Sequence, residues 1–132
     1  LPMGATMFGE RVENVLLAGT HGSTFGGNPV CANAALSVIS RIDDKLLKIV
    51  KENSNYLVEK LKSIKGVKSV SGLGYMLGIE IDGDAKAVAS ECIENGLLVL
   101  TAKTKIRLLP ALNITREEID EALKIFNKVL NK

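Results

Sequence analysis

The sequence predicts an α+β fold: an antiparallel sheet with helices packed on one face, preceded by a long helical segment. Three observations carry that expectation. The chain has 132 residues, 46% hydrophobic and 24% charged, which is an ordinary globular composition with room for one respectable core. Apolar residues keep near-helical spacing from Asn28 to about Ile64. From Val67 onward, short β-prone runs and apolar helical faces alternate in the order β-β-α-β-β-α.

Taken in order, Leu1 to Phe25 mixes Gly4, Gly9, Gly19 and Gly22 with short apolar runs, as strands and loops do, and reads as the tail of another unit. At Asn28 the pattern changes. Asn28 can cap a helix and Pro29 suits its first turn, and Ala32, Ala34, Ala35, Val38 and Ile39 continue it. Beyond Asp43 and Asp44, Leu46, Ile49, Val50, Leu57, Leu61 and Ile64 keep helical spacing until Gly66, so this stretch is one long helix or two consecutive ones. Val67 to Val70 and Tyr75 to Ile81 form a hairpin about Gly72, Leu73 and Gly74. A helix from about Asp84 ends at Asn95 and Gly96, and strands are expected over Leu97 to Leu100 and Ile106 to Leu109. Thr115 and Glu118 form a capping box ahead of Ile119, Ala122, Leu123, Phe126, Val129 and Leu130.

Composition excludes several function classes. Seventeen Lys plus Arg against fifteen Asp plus Glu leave a net charge of +2, far from a phosphate-backbone footprint, so no nucleic-acid partner is expected. Cys31 and Cys92 lack a C-x-x-C spacing, which fits a reducing cytoplasm better than a disulfide framework. With His21 the one histidine, no metal cluster is expected, and no Ser-His-Asp set forms without it. No apolar run reaches the roughly 18 residues of a membrane span, so no membrane partner is expected.

The densest local signal is the loop His21 to Pro29, which ends where a helix begins. Glycines permit close backbone approach, Ser23 and Thr24 offer hydroxyls, and a helix N-terminus favours negative charge, a combination suited to a phosphate. The same residues also serve as plain loop and cap residues, and on the residues alone both readings stand. Arg107 likewise reads either as a carboxylate clamp or as a strand-edge arginine in a surface ion pair.

The string GTHGSTFGGNPVCANAAL, with LPMGA before it and GLGYMLGIEI and GLLVLTAKTKIRLLPALNITREEIDEAL after it, resembles the class III pyridoxal-phosphate aminotransferases, in particular those acting on acetylornithine and ornithine. The resemblance covers nearly the whole chain. It implies the small C-terminal α+β domain of a fold-type I transferase, with residues 1–27 ending the large cofactor-binding domain, 28–65 an interdomain helical segment and 66–132 the small domain. It implies an enzyme of arginine biosynthesis, a cytoplasmic homodimer that exchanges an amino group between N-acetylornithine and 2-oxoglutarate through pyridoxal 5'-phosphate. Carried over by residue, it gives Thr24 as a contact to the cofactor phosphate in the neighbouring subunit's active site. Ser23 becomes a substrate contact and Arg107 the holder of a substrate carboxylate.

In the same family the Schiff-base lysine stands shortly upstream of the segment that LPMGA resembles, so the resemblance places no catalytic residue within this chain. The expectation is a C-terminal portion, inactive alone, whose Leu1 to Phe25 segment is mobile or buried against another copy. Ser71 departs from the family, where arginine is common. The alternatives are a portion of an ornithine or other ω-amino acid aminotransferase, or an independent α+β binding or regulatory module.

Overall fold

The structure, a computed structural model, describes residues 1–132. A short 3-10 turn, Glu10–Val12, is followed by α1 (Pro29–Ile39), α2 (Asp44–Lys62), β1 (Val67–Leu73), β2 (Met76–Ile81), α3 (Ala85–Glu94), β3 (Leu100–Ala102), β4 (Lys105–Leu108) and α4 (Arg116–Leu130). The helical stretch after Asn28 is thus two helices. The chain forms two compact units, Leu1–Asp43 and Asp44–Lys132, which divide between α1 and α2.

In the first unit, α1 starts where Asn28 Oδ1 accepts from the amides of Val30 at 3.0 Å and Cys31 at 3.1 Å. Its last turn closes through Ser40 N to Leu36 O and Arg41 N to Val38 O, both 3.0 Å. No residue of Leu1–Asp43 is fully buried, although α1 is apolar on most of its surface.

The second unit carries the core. Its four strands pair antiparallel in the order β1-β2-β4-β3, so β4 sits inside the sheet and α3 carries the chain from β2 to the far edge. Leu77, Ile79 and Ile81 of β2 and Ile106 of β4 point to one side, where they meet Leu57 and Leu61 of α2, Ala89 and Cys92 of α3, and Ile119, Phe126 and Val129 of α4. All three helices therefore cover the same face of the sheet, as the sequence predicts. Burial of each of the leucine, isoleucine, valine and phenylalanine side chains there contributes about 1.5 to 3 kcal/mol. Gly72 is required at its place: it has φ 138°, and a Cβ there would stand 2.0 Å from the Met76 carbonyl oxygen across the hairpin. The turn beyond it is fastened to α2 by Ser54 Oγ, which donates to Gly74 O at 2.6 Å.

The strands differ from the expected ranges in instructive ways. β1 runs to Leu73 because its pairing continues to Leu73 opposite Met76. β3 begins at Leu100, not Leu97. Leu97 N is still engaged by Cys92 O at 2.8 Å, closing the α3 terminus at Gly96 with φ 91°, and pairing with β4 is set from the turn outward, Ala102 opposite Lys105. β4 stops at Leu108 two residues before Pro110, which lacks a ladder donor.

Candidate functional site

Ser23 and Thr24 sit in the turn ahead of α1. Gly26 N donates to Ser23 O at 3.2 Å, Gly27 follows with φ 70°, and a Cβ at Gly26 would come within 2.9 Å of Ser23 Oγ, so the turn is closed tightly around glycine. Thr24 is exposed and its hydroxyl makes no hydrogen bond within the chain. Beside this turn a cavity of about 420 Å³ is lined by Pro2, Met3 and Gly4 on one side and by Ser23, Gly26 and Asn28 on the other. The structure therefore brings the first residues and the loop together, two segments separate in sequence. His21 lies outside this cavity, exposed and without a side-chain hydrogen bond.

The start of α1 itself offers an anion little. Pro29 has no N–H, Val30 and Cys31 donate to Asn28 Oδ1, and Ala32 donates to Asn28 O at 2.9 Å, so the first-turn donors are already engaged. The free donor capacity lies in the loop, and the Thr24 hydroxyl fits a phosphate oxygen by its exposure and its lack of any other partner.

Arg107 belongs to the second unit. It lies on β4 opposite Gly78 on one side and Leu100 on the other, and alternates with the buried Ile106. Its side chain thus emerges on the face that no helix covers. Its Nε is buried and has no hydrogen-bond partner, and no carboxylate of the chain pairs with it. The surface ion pair that would explain a strand-edge arginine is absent. A guanidinium fork left unsatisfied is suited to a planar, two-oxygen acceptor from outside the chain.

On the same face, Lys105 Nζ reaches Ser71 Oγ at 3.2 Å. The Lys105 stem passes over Gly78 in ordinary contact: a Cβ there would stand 3.4 Å from Lys105 Cδ and 3.6 Å from Ser71 Oγ. The sequence does signal a shared face, since Lys105 and Arg107 are two residues apart on a strand, but not the reach across Gly78.

The family model for class III aminotransferases matches residues 1–130. An acetylornithine aminotransferase of Haemophilus ducreyi is 40% identical over 134 residues, covering 100% of this chain and 34% of that protein. An ornithine aminotransferase of Staphylococcus carnosus is 39% identical over 135 residues, covering 99% of this chain and 34% of its own length. Among solved structures, the acetylornithine aminotransferase of Elizabethkingia anophelis superposes with a TM-score of 0.73 at 32% identity, over 88% of this chain and 33% of that one. The chain thus spans about a third of the length of the curated relatives it matches. The match runs through the glycine-rich loop as well as the sheet, which a module sharing the sheet alone would not produce, and the chain belongs to the class III aminotransferase family.

Proposed function

We propose that this chain is the C-terminal part of a pyridoxal-phosphate-dependent enzyme that exchanges an amino group between N-acetylornithine and 2-oxoglutarate in arginine biosynthesis, as a cytoplasmic homodimer. The observation that carries the reading is Arg107: a cation with a buried, unpartnered Nε on the helix-free face of a sheet whose family acts on amino acids. Residues 1–27 are taken as the end of the cofactor-binding domain, 28–65 as the link and 66–132 as the small domain.

When bound, pyridoxal phosphate supplies the carbonyl and the electron-withdrawing ring through which amino groups are exchanged. This chain's residues bind and orient. The Thr24 hydroxyl donates a hydrogen bond to a phosphate oxygen of the neighbouring subunit's site, and the glycines beside it let the backbone come close. Ser23 contacts substrate, and Arg107 holds a substrate carboxylate in a two-pronged grip that fixes the direction of the amino group. Acetylornithine is preferred to ornithine as donor in this reading. Expression of the complete reading frame that encodes this chain, followed by assay with N-acetylornithine, ornithine and 2-oxoglutarate, tests it. A higher kcat/KM for N-acetylornithine is the expected result; a preference for ornithine would move the assignment to the ornithine enzymes, and no transamination of either would end it.

A further inference from the structure

We infer that the cleft between α2 and α4 is a binding site for a small organic phosphate monoester, separate from the Thr24 loop and from Arg107. A cavity of about 340 Å³ lies between these helices. Lys60 and Ser63 wall it on the α2 side and Lys124 and Asn127 on the α4 side, with Ile64 and Leu123 adding half-buried apolar surface. The helices are tied at both ends of it. Tyr56 OH donates to Asp120 Oδ1 at 2.6 Å, and Asn131 Nδ2 donates to Lys65 O at 3.2 Å. The walls are thereby set before any ligand arrives, which lowers the cost of binding.

Donors around the cavity lack acceptors within the chain. Neither Lys60 nor Lys124 is in an ion pair; the paired lysines are Lys68, with Asp82, and Lys132, with Glu91. Asn127 Oδ1 accepts from Asn131 Nδ2 at 3.0 Å, so the Asn127 amide nitrogen is left to donate. Ser63 Oγ, by contrast, donates to Lys60 O at 2.7 Å. Asp120 is the one carboxylate lining the cavity, and Tyr56 OH already occupies one of its oxygens. Over the Tyr56 ring stand two cations, Lys60 Nζ at 5.5 Å and the Arg116 guanidinium at 3.8 Å. Positive charge therefore exceeds negative here, and an anion is the ligand that satisfies both ammoniums. Two compact charges and an amide, coming from two helices, fit the spread oxygens of a tetrahedral phosphate. A flat carboxylate is better met by a guanidinium fork, and the fork nearby lies on the Tyr56 ring. A phosphate group alone leaves Ile64 and Leu123 uncovered, and an apolar body attached to it covers them.

The competing role for the two lysines is a solvated helix surface that binds nothing. Saturation-transfer NMR of phenyl phosphate over the chain 1–132, at fixed ionic strength, separates the two. Phenyl phosphate is expected to bind saturably at about millimolar concentration, to be displaced by inorganic phosphate, and to be displaced by benzoate at least about tenfold less readily. Lys60→Met and Lys124→Met keep the aliphatic stems and remove the charges, and each should weaken binding about tenfold. Asp120→Asn keeps an acceptor for Tyr56 OH and removes the one negative charge, so it should tighten binding about threefold. Circular dichroism checks that each variant is folded; should a lysine variant lose its helices, the Asp120→Asn arm still reads the sign of the charge. A signal that rises linearly without saturation, benzoate competing as well as phosphate, folded lysine variants that bind like the parent, or Asp120→Asn binding no tighter would overturn the inference. So would loss of binding in Thr24→Ala with the lysine variants intact, which would move the phosphate to the Thr24 loop.

Discussion

Thr24 and Arg107 differ in exposure, and that difference sets what each substitution does. Thr24 is exposed and unbonded, so Thr24→Ala is expected to leave folding stability nearly unchanged. Under the proposed function, the complete protein loses with it a hydrogen bond to a charged phosphate, worth about 1.5 to 3 kcal/mol, and cofactor retention should weaken roughly tenfold to a hundredfold. Dialysis followed by cofactor fluorescence reads this directly. Arg107→Lys keeps the charge but loses the two-pronged geometry, so under the proposed function the Michaelis constant for the carboxylate substrate should rise while cofactor affinity stays put. If neither variant differs from the parent, both residues are loop and surface residues only. The Asn28 cap was legible because a cap needs only its own next three residues. The missing partner of Arg107 was not, since an ion pair depends on what the fold brings near.

At the scale of elements, local rules predict ends better than registers. The Thr115 and Glu118 capping box stands as the sequence predicts: Glu118 N donates to Thr115 Oγ1 at 3.2 Å, and Glu118 Oε2 accepts from Thr115 N at 2.7 Å. The Thr115 backbone amide first, and its hydroxyl second, hold the Glu118 carboxyl below the usual glutamate range. The charged form is thus favoured in the folded state. Its contribution is fully present above the ordinary glutamate pKa of about 4.3 and is lost as pH falls through the lower folded value. Glu118→Gln is therefore expected to be less stable than the parent at neutral pH, with the gap narrowing below about pH 4 in urea titrations; a gap that widens with acid would refute the box. The register of β3 had no such signal. It is set by a tight turn in which Lys103 adopts φ 57°, a left-handed conformation in a residue that gains nothing from it. Relieving that strain with Lys103→Gly should raise stability by up to about 1 kcal/mol in the same urea titrations, and a loss instead would mean the Lys103 side chain contributes more than its backbone costs.

For the whole molecule, the two units differ in where their apolar surface goes. Every residue of the core cluster lies between Leu57 and Val129, whereas Leu1–Asp43 fully buries none of its residues and leaves Met7 95%, Phe25 82% and Leu36 65% exposed. The β-β-α-β-β-α body was legible in sequence because its apolar periodicity matches a core built from its own residues. The fate of the first unit was not, because periodicity marks a face as apolar without naming what covers it. A chain comprising 44–132 alone is accordingly expected to unfold in one cooperative step with a denaturation midpoint close to that of the same unit within 1–132. Exposed apolar patches promote association, so the two chains should also differ in solution: 1–132 forms larger species as concentration rises, and 44–132 sediments as a monomer. Side-by-side sedimentation and urea titration check both statements. A 44–132 chain that fails to fold would show that Leu1–Asp43 supplies stability its exposed side chains do not reveal, and a strictly monomeric 1–132 with a protease-resistant first unit would show that its apolar residues need no further cover.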